Sequence, residues 1–225
     1  MFQSAAQATV FTYNYSGPAG GYLQDSFESL STSYDTDQEF LTWESSFNSD
    51  GFHDIDGAWL VLSDGPNAKG AGDLGNQREL AIFYMDGVQE KLTAFRYNGE
   101  NNASSYQQED FLGAWDLDVT TGGGITTFGF DIDVSALNAD DDGGFLTNWQ
   151  GVQFGEKIGL WFHGAGKDFN SAYDNEWKLT EFTFNKDFYI DQEDEMTNVP
   201  EPGLLGLAFL AGLGLIGRKL QGQRA

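Results

Sequence analysis

From Thr127 to Val134 the chain alternates without a break: Phe128, Phe130, Ile132 and Val134 fall on one side, Thr127, Gly129, Asp131 and Asp133 on the other. A period of two with one apolar side is the pattern of a half-buried strand. It is the cleanest of a series. Val10 to Tyr15 alternates similarly, and Glu39 to Phe47 carries Leu41 and Trp43 on one side. Short apolar runs follow at Ala58 to Leu62, Glu79 to Met85, Leu92 to Tyr97, Phe111 to Val119, Lys157 to Phe162 and Lys178 to Phe184. Turn residues punctuate them: Asp64-Gly65-Pro66-Asn67, Asn98-Gly99, and an Asp86-Gly87 pair placed between two strands as in a hairpin. No stretch before residue 203 sustains a helical period over several turns.

Strands at this spacing with no helices between them predict an all-β fold, an antiparallel β-sandwich over residues 9–190. A jelly roll of the lectin type is the expected version, with an immunoglobulin-like sandwich as the alternative. Composition agrees. Aromatic residues make up 15% of the chain, which suits pleated, half-buried surfaces, and 29 glycines suit many turns. With no cysteine, disulfides and thiolate metal sites are excluded. The net charge of −24 repels phosphate backbones, so nucleic acid is not an expected partner, and it favours solubility and divalent cations.

The C-terminal end is organised differently. Val199-Pro200-Glu201-Pro202 interrupts regular structure, Gly203 to Gly217 reads GLLGLAFLAGLGLIG without one polar side chain, and Arg218-Lys219 follow at once. The apolar run is short for a bilayer span of about 20 residues. Snorkelling of Arg218 and Lys219 extends it, and basic residues at that position hold the end in the cytoplasm. Residues 199–220 are therefore expected to carry a single transmembrane helix, with 221–225 as a basic cytoplasmic end and 191–198 as an acidic linker before it. At the other end, Ala5-Ala6-Gln7-Ala8 has the small-x-small form of a signal-peptidase site, so residues 1–8 read as the end of a truncated signal peptide.

The order of proline-glutamate-proline, short apolar helix and basic end over residues 199–220 resembles the PEP-CTERM sorting signal. Runs such as AWLVLSDGPNAKG, ELAIFYMDG and KIGLWFH also look like those of other ectodomains bearing it. The resemblance implies recognition by an exosortase, a membrane cysteine transpeptidase-like protease that cuts near the motif. It also implies transient anchoring at the inner membrane of a Gram-negative cell, and a final place on the surface or in an extracellular matrix. It supplies no catalytic residues.

The body offers residues for three kinds of site. Asn138, Asp140 and Asp142, followed by Gly143, copy the first half of an EF-hand-type loop, which makes them candidate calcium ligands. The second half fails, since Trp149 stands where a bidentate Glu belongs. Asp54 and Asp56 form a second acidic spot. For a glycan platform, where aromatic rings stack on sugar faces and amides or carboxylates bond hydroxyls, the candidates are Tyr106, Trp115, Trp149, Tyr173 and Trp177. For an enzyme, Asp116-x-Asp118 and Asp131-x-Asp133 lack the mixed Glu/Asp strand of a lectin-like glycosidase. His53 and His163 sit in no hydrolase motif. The expectation is a non-enzymatic exported surface or matrix protein that binds polysaccharide. The alternatives are a calcium-stabilised adhesive or structural protein and, further off, a glycoside hydrolase.

Overall fold

The structure is a computed structural model that describes residues 9–49, 54–65, 68, 80–97, 99, 102–108, 110–138, 152–166 and 168–195. The expected alternation translates directly into an antiparallel two-sheet sandwich. One sheet has five strands in the order β1 (Val10–Tyr15), β3 (Phe27–Asp35), β4 (Phe40–Asn48), β10 (Ile125–Asp133) and β9 (Asp118–Gly122). The other has seven, in the order β2 (Gly20–Gly21), β14 (Asp187–Glu195), β11 (Lys157–Gly166), β5 (Ile55–Ser63), β6 (Leu80–Asp86), β7 (Lys91–Tyr97) and β8 (Phe111–Asp116). A separate hairpin pairs β12 (Asn170–Tyr173) with β13 (Leu179–Thr183). The sheets meet through rings such as Trp43 and Phe162, with centroids 5.1 Å apart, and Phe83 and Phe130, 5.7 Å apart.

In β10 the alternation does what it predicts. Phe128, Phe130 and Ile132 are buried between the sheets, whereas Asp131 and Asp133 are exposed. β5 and β6 read instead as near-continuous apolar runs, because both of their faces are covered. Their inner face meets the five-stranded sheet. On the outer face, Trp59, Val61, Ile82 and Tyr84 join a second apolar cluster with Tyr106 and with Leu179 and Phe182 of β13. The seven-stranded sheet is thus the middle layer of the domain.

Several expectations needed correction. The run Phe111 to Val119 is two strands in different sheets, and the chain changes sheet at the buried Leu117. β3 escaped the pattern because a bulge between Phe27 and Ser29 breaks its register and because Thr32, buried, takes a core position. The acidic linker expected from residue 191 is, up to Glu195, part of β14, paired with β11 from Asp187 to Glu195. Among the described residues β14 pairs with β2 only at Phe188 and Tyr189, so the carboxylates of its far half lie on a side of the strand that no described strand covers, where charge discourages pairing with other chains. Tyr13 in β1 donates a hydrogen bond to Asp194 Oδ2 at 2.8 Å and ties the edges of the two sheets together.

Within strands, several glycines are seats for aromatic rings. A Cβ at Gly164 would lie 2.0 Å from the Phe188 ring, and one at Gly57 would lie 2.4 Å from Phe169. Each ring occupies the volume the missing side chain leaves. Among the described residues no helix is long and apolar enough to cross a membrane. The apolar run Gly203 to Gly217, the sorting motif Val199 to Pro202, the basic pair Arg218-Lys219 and residues 1–8 lie outside the described residues.

Candidate functional site

The five aromatics proposed as one platform separate. Tyr106 is 5% exposed and belongs to the outer-face cluster, where its hydroxyl accepts the Phe182 N–H at 3.3 Å. It is a core residue, because its ring closes the apolar layer over Tyr84 and Phe95. Trp115 points to the other side of the sheet, half-buried against the inter-sheet core. Trp149 lies outside the described residues. Tyr173 and Trp177 do come together, with ring centroids 5.8 Å apart, at one end of the sandwich.

Trp177 sits at the tip of the β12–β13 hairpin with φ of 61° and is 49% exposed. A bulky residue in the left-handed region is unusual and costs about 1 kcal/mol or more. Asp174 holds the conformation: its Oδ1 accepts the N–H groups of Glu176 at 2.9 Å and Lys178 at 3.0 Å, and its carbonyl accepts that of Trp177 at 3.3 Å. Lys91 Nζ lies 4.7 Å from the centre of the indole and is also paired with Asp116. Lys91 and Asp116 share one cross-strand row of the seven-stranded sheet with Gly57 and Asp86, the four being successive partners in the order Gly57, Asp86, Lys91 and Asp116.

Asp86 anchors the site from below. It is 1% exposed, yet its carboxylate is fully engaged. Oδ1 accepts the N–H groups of Val88 and Gln89, both at 2.9 Å, and Oδ2 accepts the Tyr173 hydroxyl at 2.9 Å. Burial first, and the negative Asp86 second, push the Tyr173 hydroxyl well above the usual tyrosine range, so it remains a donor. The β6–β7 hairpin that the Asp86-Gly87 pair announced is present, as a four-residue loop between Asp86 and Lys91. Its left-handed residue is Glu90, with φ of 53°, and Gly87 has a different task, since a Cβ there would lie 2.3 Å from the Phe128 ring.

On the inner side of that loop a cleft of about 400 Å³ opens between the sheets, lined by Ser49, Asp54, Asp56, Thr121 and Thr126 over a floor of Ile55, Val119 and Phe128. Burial, then Asp54 and Asp86, raise the Asp56 carboxyl above the ordinary range. The acidic spot read from the sequence at Asp54 and Asp56 therefore lies in a cleft. Among the described residues no group of three or more carboxylates or imidazoles is placed to hold a metal ion. Of the candidate calcium ligands, Asn138 ends the single helical turn Ser135–Asn138, and Asp140 and Asp142 lie outside the described residues. His163 lies inside β11, its ring stacked on Trp59 at 4.0 Å and its Nδ1 3.2 Å from Asp187 Oδ2.

Sequence reasoning missed the outer face of the five-stranded sheet. One cross-strand row there runs Asn14, Ser31, Glu44, Gly129, Asp118, one residue from each strand. The flanking rows are polar as well: Thr12, Ser33, Thr42 and Asp131 on one side, and Ser29, Ser46, Thr127 and Thr120 on the other. The signal was present in the polar half of each alternation, but register alone aligns these halves across strands.

No family model matches the chain, and neither a curated protein nor a solved structure matches it. What the structure itself defines is an all-β, two-sheet antiparallel sandwich with a hairpin-capped outer face.

Proposed function

We propose that the chain is an exported cell-surface or extracellular-matrix protein, handled by an exosortase-like membrane protease through Val199 to Pro202. Its sandwich, of the jelly-roll lectin type, holds polysaccharide without cleaving it. The observation that carries the binding half is Trp177: an indole kept half in solvent, in a backbone conformation that costs stability, by hydrogen bonds that the loop's N–H groups donate to the Asp174 carboxylate. Of the four non-glycine residues with positive φ among those described, Trp177 alone is aromatic, and an outlier of that kind is what motivates a functional reading. Tyr173 beside it and the Lys91–Asp116 pair beneath supply the second ring and the polar groups that bond sugar hydroxyls. The sorting half is supported by the order of motif, apolar run and Arg218-Lys219.

Two measurements test the two halves. The mass of the mature protein from its host, with and without the exosortase, reads the sorting: loss of the segment after Pro202 only when the protease is present is the expected result, and an intact tail in both strains overturns it. Trp177→Ala reads the binding. It should weaken retention on the host's own polysaccharide about tenfold while leaving the melting temperature within the range of a surface substitution. Unchanged retention removes Trp177 from the site.

A further inference from the structure

Gly129 is a glycine the fold does not require. It lies in the middle of β10, paired with Glu44 on one side and Asp118 on the other, with no bulge in either register. It is not among the glycines with positive φ. A Cβ there would meet nothing closer than 3.5 Å, ordinary van der Waals contact, whereas Gly164 and Gly57 seat rings that leave no such room. A glycine in a strand interior weakens the strand, and where neither a bulge nor a packed neighbour accounts for it, the remaining reason is close approach of something from outside.

What Gly129 does is keep a hollow open. The space above it, about 260 Å³, is lined by Ser31, Thr42, Glu44, Asp118, Thr127 and Asp131 among others. A second hollow of about 320 Å³ shares Ser31 and Glu44 and continues to Asn14. Together they make a trough along the row from Asp118 to Asn14, across all five strands, roughly 19 Å long at four inter-strand spacings. Its walls are hydroxyls, with carboxylates dispersed among them. Among the described residues these carboxylates belong to no group of three or more placed to share a metal ion. Dispersed acceptors of that kind match the hydroxyls of a polyol, and their charge, within a chain of net −24, repels uronic or sulfated polymers.

We infer that the Gly129 trough is a second glycan-binding site, which takes a neutral polysaccharide chain lying across the strands of the five-stranded sheet. Trp177 belongs to the outer face of the opposite sheet, so a domain with both sites bridges two chains. The inference extends the polysaccharide reading but does not depend on Trp177.

The test uses the full chain with cellohexaose, laminarihexaose and mannohexaose as neutral probes and hexagalacturonate as the anionic one. Binding is followed by calorimetry, and contact by hydrogen exchange. Protection of β10 and β4 amides by at least one neutral probe, and none by hexagalacturonate, is expected. Gly129→Val should raise the melting temperature and lower affinity for that probe at least about tenfold, and Gly129→Ala should do the same to a lesser degree. Trp177→Ala should leave the β10 protection in place. Absence of β10 protection with every neutral probe overturns the inference, as does equal protection by hexagalacturonate or undiminished binding by Gly129→Val. If the Gly129 variants bind normally while Trp177→Ala does not, only the second site falls. If the reverse holds, the Trp177 assignment falls and the trough stands.

Discussion

Asp56 shows how a single side chain carries information about function. Its carboxyl is held above the ordinary carboxylate range by burial and by the nearby Asp54 and Asp86. A group with a raised pKa in the folded state has no effect on stability at low pH, where it is protonated in both states. From about pH 4 upward the unfolded chain releases its proton first, so the folded state loses stability until the pH passes the folded pKa. Asp56→Asn should therefore raise the melting temperature at pH 7 and leave it unchanged at pH 3. A scan of melting temperature against pH for both proteins checks this, and equal curves would remove the repulsion argued for the cleft. Asp54 and Asp56 were legible as an acidic spot in the sequence. That they line a cleft beside the β6–β7 loop was not, because the cleft's other wall comes from Val119, Thr121 and Thr126, more than sixty positions away.

At the level of elements, glycine and aromatic residues are two parts of one packing device. Read along the chain, glycines mark turns, and Gly123-Gly124 between β9 and β10 does so, with φ values of 62° and 84° as a tight hairpin requires. Gly164 in β11 acts otherwise, leaving the volume that Phe188 fills from the neighbouring strand. Gly164→Ala should cost about 1–3 kcal/mol in a urea unfolding experiment, the usual penalty of overpacking a filled core. Strand existence was readable wherever an apolar face alternated, as in β1 and β10, or where a run was apolar throughout, as in β6. β14 was hidden because Asp191, Glu193 and Asp194 are edge-strand charges, and a run of acids reads the same whether it guards a sheet edge or floats in a linker. Tyr106 was misplaced for a related reason: a tyrosine among polar neighbours reads as exposed until Phe182, from a distant strand, is laid over it.

For the whole molecule, closure of the sandwich at the β1–β14 side rests partly on Tyr13 reaching Asp194 across the two sheets. Burial, then that hydrogen bond and its charge, push the Tyr13 hydroxyl above the usual tyrosine range, so it stays protonated and donating at any ordinary pH. Tyr13→Phe should lower stability by about 1 kcal/mol, visible as a lower urea midpoint with an unchanged slope. The other side is closed covalently, where the chain passes from β8 to β9 through Leu117. Between these closures the five-stranded sheet presents its hydroxyl-rich face outward, while the seven-stranded sheet has its outer face roofed by the β12–β13 hairpin that carries Trp177.

The sequence by itself determined the class of fold, because period-two alternation and turn residues are local and survive without tertiary context. It determined the sign of the electrostatic field and the absence of disulfides for the same reason. Only the tertiary structure decided which strands share a sheet, which aromatic rings reach solvent, and that Glu44, Gly129 and Asp118 stand side by side. Those are consequences of strand order and register, and register is fixed by the sum of many weak long-range contacts that no single segment of the chain encodes.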